Sequence, residues 1–306
     1  MQALPGRETD FQPRTGLLPY LKLLRPLQWV KNLLIFLPPL LAHELRNLLL
    51  YRTLLLAFGA LSLCASAAYI LNDICDLESD RRHPVKKDRP LAGGQISLAI
   101  GWMMALALVA ISVLLGFLLV SRDFTFLLLL YFMLSLSYSL CIKRIPLLDV
   151  LSLSGLYALR IFMGGVAVSV PISQWLLAFS LFFFLGIAFV KRYVELQDSK
   201  AIGAIPGRNY QAEDVQVVQI SGIASAYMSV VIFFLYIANS REAATLYRHP
   251  QWLWVIGPLL LYWHTRLWML GMHRRINSDP LVFVIKDPGS WIVGLFAAAC
   301  VVLASI

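Results

Sequence analysis

Charged residues are scarce in this sequence of 306 residues, because Asp, Glu, Lys and Arg together make up only 14% of it. In soluble domains about a quarter of the residues are charged. Hydrophobic residues reach 59%, above the roughly 45–50% that is typical of soluble domains. This balance excludes an ordinary water-soluble domain and indicates a protein whose outer surface faces lipid.

Cysteine and histidine are also few and scattered. The four cysteines occur singly in or beside apolar runs, so no disulfide framework and no CxxC metal site are indicated. The five histidines form no cluster with zinc-ligand spacing. Residues 1–16 are polar and proline-rich and lack a small-residue cleavage site after a short apolar core, so we expect the first apolar segment to be retained. We expect residues 1–16 to be disordered and residues 17–306 to form one transmembrane domain.

Long apolar runs fill most of the remaining sequence. A membrane-spanning helix needs about 20 mostly apolar residues, and nine such runs are separated by charged breaks. We therefore predict an all-α, polytopic integral membrane helical bundle with nine transmembrane helices. The predicted spans are residues 20–42, 53–72, 97–120, 124–142, 146–169, 173–192, 215–238, 251–272 and 289–305. The first span is the weakest, because Lys22, Arg25 and Lys31 interrupt it.

The basic residues predict which helix ends face the cytoplasm, since cytoplasmic loops carry an excess of Lys and Arg. The segments that precede spans 1, 3, 5, 7 and 9 contain 19 Lys and Arg residues, whereas the segments on the other side contain five. We expect a multi-pass protein of the cytoplasmic (inner) membrane with its amino terminus inside. Two long polar connections, residues 73–96 and 193–214, lie on the basic side, so we expect an active site that faces the cytoplasm.

An acidic pattern, NDxxDxxxD, lies at the inner end of span 2. Asp73, Asp76 and Asp80 stand at i, i+3 and i+7, so on a continuous helix their carboxylates share one face. Their mutual repulsion favours a bound cation, and carboxylate and amide oxygens suit Mg²⁺, which keeps phosphate oxygens in its shell. We predict a magnesium site, with Mn²⁺ as the alternative ion, that is formed by Asn72, Asp73, Asp76 and Asp80. The alternative is a solvated acidic helix end, or acids paired with Arg81 and Arg82.

A dense basic run, RRHPVKKDRP, follows the acidic pattern directly. Alone it is typical of a cytoplasmic loop. Beside a metal-binding row of carboxylates, Lys86, Lys87 and Arg89 would bind phosphates that the metal bridges. We therefore interpret residues 71–90 as a site for a metal–diphosphate at the membrane surface.

A second polar motif, VKRYVELQD, occupies residues 190–198 on the same side of the membrane. Lys191, Glu195 and Asp198 stand at i, i+4 and i+7, and Arg192 is a further candidate for binding phosphate. The alternative is a salt-bridged surface turn. Two acidic motifs on one face would hold two edges of a metal–diphosphate, and the loop over residues 203–214 would cover them.

Two further features carry charge near the predicted site. Arg160 lies inside span 5, where a charge is costly and indicates function or pairing. Asp149 precedes it by eleven positions, or three helical turns, so we predict that both side chains point the same way; the alternative is that Arg160 pairs with an acid on another helix. At the inner end of span 4, the residues of YSLCIKR either bind phosphate or anchor the helix at the interface. These are Tyr138, Ser139, Lys143 and Arg144.

The acidic pattern after span 2, the second polar motif after span 6 and the nine spans together resemble the UbiA superfamily of intramembrane prenyltransferases, from about residue 20 onward. Five segments are similar to its decaprenyl-phosphate phosphoribosyltransferase branch. They are RPLQWVKN, NDICDLESDRRHPVKKDRPLAGG, YSLCIKRIPLLDV, KRYVEL and DPLVFVIKD. In the branch that prenylates aromatic compounds the second motif is more acidic, and Lys191 stands where its first acid would fall. The loop IPGRNYQAEDVQVV departs from the pattern.

The resemblance implies a Mg²⁺-dependent transfer of 5-phosphoribosyl from phosphoribosyl diphosphate (PRPP) to a polyprenyl phosphate, such as decaprenyl phosphate, with release of diphosphate. Such a reaction serves the synthesis of lipid-linked arabinose for cell-envelope glycans. The expected partners are PRPP, the polyprenyl phosphate and the bilayer; no nucleic acid is expected, and the oligomeric state is left open. One alternative is prenyl transfer from a diphosphate to an aromatic acceptor. Another is a non-enzymatic lipid transporter, which would place polar residues near mid-bilayer in several spans.

The resemblance also implies roles for individual residues. The expected catalytic residues are Asp73, Asp76, Asp80 and Glu195. The expected substrate-binding residues are Lys31, Asn72, Lys86, Lys87, Arg89, Tyr138, Lys143, Arg144, Arg160, Lys191, Arg192 and Asp198.

Overall fold

Helices make up all the regular structure that the computed structural model describes, over residues 16–43, 48–82, 85–199, 208–239, 241–276 and 279–306. The α-helices are α1 (Leu18–Leu24), α2 (Leu37–Leu41), α3 (Leu48–Cys75), α4 (Leu77–Arg82), α5 (Leu98–Leu119), α6 (Arg122–Leu140), α7 (Leu148–Ala167), α8 (Gln174–Ser199), α9 (Val215–Asn239), α10 (Arg241–Leu246), α11 (Ile256–Met272), α12 (Pro280–Lys286) and α13 (Pro288–Ser305). Five 3₁₀ segments join them, at Pro26–Phe36, Lys86–Asp88, Ile142–Arg144, Ala212–Asp214 and Pro250–Val255. The all-α prediction is confirmed, whereas the predicted disordered start falls almost wholly on residues 1–15, outside the described ranges.

Seven helices within the described ranges are long and apolar enough to cross a membrane. They are α3, α5, α6, α7, α8, α9 and α13. Each coincides with one of the nine predicted spans. The chain is therefore a multi-pass membrane protein, and a count of nine crossings stays a prediction.

The first and eighth predicted spans are broken helices. In the first, Arg25 adopts a left-handed conformation (φ 52°) between α1 and the 3₁₀ segment that begins at Pro26. Pro38 and Pro39 then open α2. In the eighth, Pro250 begins a 3₁₀ segment and α11 covers only 17 residues. Proline lacks a backbone N–H but is tolerated in a first helical turn, so each of these prolines starts a new helix rather than continuing an old one.

Small residues let the broken first segment and its neighbours pack closely. Ala57 and Ala60 of α3 are fully buried in one cluster with Phe124 and Leu128 of α6. At Gly164 of α7 any side chain would overlap the backbone of residue 35. Close approach of helices through small residues is the usual way to associate helices inside lipid. The 3₁₀ segment Pro26–Phe36 thus lies directly against α7 and brings its own polar side chains toward the interior.

The remaining elements place the polar motifs at one end of the bundle. Helices α3, α6 and α8 end there, and α4 and α12 begin there. Residues at the ends of α3, α6 and α8 and at the start of α12 line one cavity, which the next section describes.

Candidate active site

One cavity of about 400 Å³ collects most of the polar side chains that the sequence singled out. The predicted residues that line it are Lys31, Asn72, Asp76, Lys86, Arg89, Tyr138, Ser139, Lys143, Arg160, Lys191 and Glu195. It is also lined by polar residues to which the sequence gave no role. These include Arg25, Gln28, Tyr69, Tyr131, Tyr157, Arg208 and Asp279. The ends of α3 and α8, which carry the two polar motifs, therefore meet at one cavity.

Positive charge dominates this cavity. Among the described residues, eight cationic and three anionic side chains line it, a formal excess of five positive charges. Burial, followed by the nearby Arg89 guanidinium, lowers the pKa of Lys86. A concave site with this balance is suited to a ligand that carries several negative charges.

Asp76 and Lys143 form an ion pair inside the cavity. The Lys143 ammonium donates to both carboxylate oxygens of Asp76, at 2.6 and 2.8 Å. Asp76 stands in the turn between α3 and α4, and Lys143 lies just beyond the end of α6. The Asp76 side chain keeps 31% of its surface exposed, and Asn72 lines the cavity beside it.

Asp73 and Asp80 lie behind this wall, and here the structure corrects the sequence prediction. Both are buried, and both accept a hydrogen bond from the same Arg89 nitrogen, at 3.0 Å from Asp73 and 2.5 Å from Asp80. Arg25 adds a second contact to Asp73 at 2.5 Å. Because Asp73 and Asp80 are both held by Arg89, the three carboxylates do not present one row to the cavity. Asp76 alone of the three lines it.

The donor set bears on the predicted magnesium site. No three His, Cys, Asp or Glu side chains in the described ranges are grouped as ligands for one metal ion. Mg²⁺ usually takes only one or two carboxylates and completes its shell with water and substrate phosphates. Asn72 and Asp76 offer hard oxygen ligands on the cavity wall, which fits an ion shared with a phosphate group and does not fit a cage built by the protein alone.

Arg160 lies at the buried inner part of the cavity and is held by neutral groups. It donates from Nε to Asn32 (3.0 Å), from one terminal nitrogen to the Tyr131 hydroxyl (2.6 Å) and from the other to the Leu156 carbonyl (2.8 Å). Its guanidinium also lies over the rings of Tyr131 and Tyr157. Asp149 and Arg160 lie about three turns apart on the continuous helix α7 but do not pair with each other, and the alternative, that Arg160 pairs with an acid on another helix, is wrong. Contacts with neutral groups leave the positive charge of Arg160 available to a ligand.

At the cavity wall, Asp279 contacts one lysine from the first predicted span and one from α8. Its carboxylate accepts hydrogen bonds from Lys31 at 2.7 Å and from Lys191 at 3.4 Å, and it caps α12 through the Leu281 N–H. Burial alone would raise the pKa of Asp279, but the ammonium groups of Lys191 and Lys31 hold that pKa well below its usual range. Asp279 therefore positions two lysines that the sequence had proposed for binding phosphate.

A second charged network lies under the α8 side of the cavity. Arg192 is fully buried and pairs with Asp149 at 2.5 Å and with Glu195. Arg208, beyond α8, contacts Asp149 at 3.1 Å and lies 3.7 Å from Glu195. Burial alone would lower the pKa of Arg208, but its acidic neighbours raise that pKa. Arg192 thus orients Glu195 from within the wall and, unlike the prediction, does not line the cavity itself.

Three further predicted residues also lie outside the cavity lining. Lys87, Arg144 and Asp198 are exposed, and the cavity wall does not include them. Helix periodicity had placed Asp198 on the face of Lys191 and Glu195, but it lies a turn beyond the wall, near the end of α8. The proposed covering loop falls partly outside the described ranges, which resume at residue 208.

The sequence missed Arg25, Arg208 and Asp279 as site residues. Arg25 and Asp279 both belong to segments that resemble the phosphoribosyltransferase branch, RPLQWVKN and DPLVFVIKD. Each is a charged residue next to an apolar run, and this is the signal that could have identified them. No sequence signal distinguishes Arg208 from other loop arginines.

The model of one protein family, described as the UbiA prenyltransferase family, matches residues 34–283. The chain belongs to the UbiA prenyltransferase family. It is therefore a membrane transferase of that family, and the matched region contains almost all of the cavity-lining residues.

Relatives of this chain carry different names. An uncharacterized protein of Sinorhizobium fredii, y4nM, is 37% identical over 93% of this chain and 55% of its own length. The nodulation protein NoeC of Azorhizobium caulinodans is 32% identical over 89% of this chain and 88% of its own. A decaprenyl-phosphate phosphoribosyltransferase of Corynebacterium glutamicum is 37% identical over 60% of this chain and 56% of its own. The chain thus spans only about half the length of the first and third relatives.

A solved structure shows the same UbiA fold. The UbiA homologue of Archaeoglobus fulgidus, bound to DMAPP and Mg²⁺, matches with a TM-score of 0.69 at 19% identity, over 94% of this chain and 99% of that one. The likeness extends over the whole helical bundle and establishes the fold. It also shows that a member of this fold binds a diphosphate together with Mg²⁺.

Proposed function

We propose that this protein transfers the 5-phosphoribosyl group of PRPP to a polyprenyl phosphate and releases diphosphate. The observation that carries the proposal is the excess of five positive charges in one cavity at the membrane surface. PRPP carries a diphosphate and a 5-phosphate, and the acceptor carries a third phosphate group. Arginine and lysine are the side chains that bind such groups. Prenyl transfer to an aromatic acceptor would need to neutralise a diphosphate alone.

The names of relatives support the same choice. The C. glutamicum relative is a decaprenyl-phosphate phosphoribosyltransferase, and those of Mycobacterium tuberculosis and Mycolicibacterium smegmatis have the same name. Lys191 also supports PRPP as the donor, because a basic residue in the second polar motif suits a donor that carries more negative charge than a prenyl diphosphate. The acceptor would be a polyprenyl phosphate of the kind that carries sugars for cell-envelope glycans.

Asn72 and Asp76 would hold Mg²⁺ at the cavity wall, where both residues lie. The bound ion would neutralise charge that develops on the departing diphosphate. Arg89 would keep Asp73 and Asp80 in place behind them, since its guanidinium contacts both. Asn72 and Asp76 would thus bind the ion directly, whereas Arg89 would support the acidic motif from behind.

The basic side chains of the cavity would place the two substrates for reaction. Lys86 and Lys143 lie on the side of the acidic motif and would contact the diphosphate. Lys191 and Arg208 line the same cavity, and Arg160 lines it from the middle of α7. An oxygen of the acceptor phosphate attacks C1 of the ribose while the bond from C1 to the diphosphate oxygen breaks. The acceptor is already anionic, so no general base is needed, and catalysis rests on positioning and on charge neutralisation.

An apolar groove offers a place for the polyprenyl chain. It has a volume of about 480 Å³ and lies between α6, α7 and α8, where Leu134, Gly155, Phe162 and Leu181 are among its lining residues. Leu156 lines both this groove and the basic cavity. An acceptor with its phosphate in the cavity could therefore extend its chain past Leu156 into lipid-facing surroundings.

A direct assay tests the proposed function. Purified protein in detergent receives Mg²⁺, decaprenyl phosphate and PRPP that is radiolabelled in the ribose. We expect label in the lipid fraction and an equal amount of released diphosphate. The proposal is wrong if the ribose label stays in PRPP while a labelled prenyl group moves from its diphosphate to an aromatic acid. No turnover with either substrate pair would favour a lipid-binding or transport role.

A further inference from the structure

Asp149 is a fully buried carboxylate at the first turn of α7, and it gathers three partners from elsewhere in the chain. Its Oδ2 lies 2.5 Å from an Arg192 terminal nitrogen and 3.1 Å from one of Arg208. Its Oδ1 accepts a hydrogen bond of 2.6 Å from the Tyr210 hydroxyl. A buried carboxylate is costly unless it is paired and hydrogen-bonded, and these three donors meet that need.

Tyr210 anchors the segment after α8 to the start of α7. Its side chain is almost fully buried. The hydroxyl donates to Asp149 and accepts from the backbone N–H of Leu147 at 2.8 Å. Leu147 adopts a positive φ of 67°, a conformation that is costly for a leucine and needs support from its surroundings. The ring also lies 5.4 Å from the Arg192 guanidinium. The position of Tyr210 is therefore set by hydroxyl and ring together.

Arg208 stands two residues before Tyr210 and reaches the cavity. One of its terminal nitrogens lies between Asp149 (3.1 Å) and the Tyr138 hydroxyl (3.3 Å), and its Nε faces Glu195. Its side chain keeps 17% of its surface exposed and lines the cavity, whereas Arg192 is fully buried. Of the two arginines on Asp149, Arg208 is the one that a ligand can reach.

We infer that Asp149 and Tyr210 are positioning residues for Arg208, and that together they hold its guanidinium at the cavity wall to bind a phosphate or diphosphate group. The inference rests on the proposed function only in the chemistry of that ligand. Without the Tyr210 hydroxyl, the loop would lose its bond to Asp149 and Arg208 would spend less time at the wall. Neither residue touches the ligand, so both act through Arg208.

The test measures binding of inorganic diphosphate in the presence of Mg²⁺ to the purified full-length protein, by isothermal titration calorimetry. The variants are Arg208→Gln, Tyr210→Phe and the double variant. Tyr210→Phe keeps the ring over Arg192 and removes only the hydroxyl. We expect Arg208→Gln to weaken binding about 10-fold, as for the loss of a hydrogen bond to a charged group, and Tyr210→Phe to weaken it several-fold.

A double-mutant comparison separates positioning from stability. If Tyr210 acts through Arg208, the double variant binds no more weakly than Arg208→Gln alone. The matched control is Tyr247→Phe, which removes a hydroxyl from another buried tyrosine that does not line the cavity; its diphosphate affinity should equal that of the wild type. Asp149→Asn, where it folds, should reproduce the affinity of Arg208→Gln.

Three results would overturn the inference. One is an unchanged affinity in Tyr210→Phe with a lower melting temperature, which indicates a purely structural role. Another is a fold-loss of diphosphate affinity in the double variant that equals the product of the fold-losses in the two single variants. The third is an unchanged affinity in Arg208→Gln, which leaves the proposed reaction standing. If the wild type itself does not bind diphosphate, the proposed function fails together with the inference.

Discussion

Lys143 and Asp76 are 67 positions apart in the sequence, and they form a two-pronged ion pair at 2.6 and 2.8 Å inside the cavity. The pair joins the turn after α3 to the end of α6. It places the one cavity-lining carboxylate of the acidic motif next to a base that is suited to phosphate. The proposed role of the acidic motif therefore depends on residues from the ends of two different helices.

Asp76→Asn should abolish most turnover while the protein still folds. The substitution keeps the shape of the side chain and removes the negative charge that would bind Mg²⁺. We expect kcat to fall by about 100-fold or more, the usual range for loss of one electrostatic contact in an active site. The labelled-lipid assay measures it. Glu78→Gln, an exposed acid two positions later that does not line the cavity, should retain full activity. Equal activity in both variants would contradict the role of Asp76.

Arg160→Lys should impair both stability and ligand binding although it conserves the charge. A lysine cannot reproduce the three directed hydrogen bonds to Asn32, Tyr131 and the carbonyl of residue 156. It would leave buried polar groups unpaired, each at a cost of about 1–3 kcal/mol. We expect a lower melting temperature in detergent and weaker binding of diphosphate. A melting temperature and a diphosphate affinity equal to those of the wild type would show that Arg160 contributes to neither stability nor binding.

Asp287 should stabilise the fold except in acid. It pairs with Arg266 at 2.6 and 2.9 Å and caps α13 through the Ser290 N–H. The hydrogen bond from Arg266 holds the pKa of Asp287 at about 2, below the ordinary 3.8. The pKa is depressed in the folded state, so the stabilisation is fully present above the ordinary value and is lost as the pH falls toward 2.

Thermal unfolding as a function of pH measures this contribution. Asp287→Asn should melt below the wild type by a constant margin from pH 7 to about pH 5, and the margin should shrink below pH 4. Asp123→Asn, at an exposed acid in the first turn of α6, is the control and should show little effect. A margin that grows in acid would contradict the assignment.

Gly155→Leu should discriminate between acceptors of different chain length. An added side chain at this position meets no atom within 4 Å, so it should fill the apolar groove without disturbing the fold. We expect the KM for decaprenyl phosphate to rise about 10-fold, and the KM for a ten-carbon prenyl phosphate to change little. Gly59→Leu, at a similarly open position on α3, should affect neither. An altered oligomeric state with unchanged KM would identify the groove as a contact between subunits.

The cytoplasmic orientation can be tested with the native cysteines. Cys75 and Cys141 are exposed at the cavity ends of α3 and α6, while Cys64 and Cys300 are buried. We expect a membrane-impermeant maleimide to label inverted inner-membrane vesicles and to leave intact spheroplasts unlabelled. Arg248→Cys, at the opposite end of the bundle, should show the reverse pattern in a variant in which Cys75 and Cys141 are replaced by serine. Labelling of Cys75 or Cys141 in spheroplasts would reverse the proposed topology.

Much of the fold could be predicted from local sequence. Seven predicted spans coincide with long apolar helices, because the hydropathy of a segment depends only on its own residues. The first and eighth spans could not be predicted as broken helices from hydropathy, since the breaks depend on how Pro26, Pro38 and Pro250 start new turns. The two polar motifs were correctly placed near one another, because both follow spans that end on the basic side.

The detailed site could not be predicted in the same way. Periodicity predicted one row of Asp73, Asp76 and Asp80, but contacts with the distant Arg25 and Arg89 hold Asp73 and Asp80 behind the cavity wall. Arg160 and Asp149 share a helix, yet each finds its side-chain hydrogen-bond partners on other elements. These outcomes depend on packing between segments, and spacing along one helix does not contain that information.

Composition and hydropathy are sums over neighbouring residues, so they are enough to predict a helical chain in lipid with its basic residues concentrated on one side. Which charges meet depends on how the helices pack. Asp279 contacts Lys31 across 248 positions of the chain, and Tyr210 contacts Asp149 across 61. Such pairs form because buried charges need partners, and the packing of distant helices decides which partner is within reach.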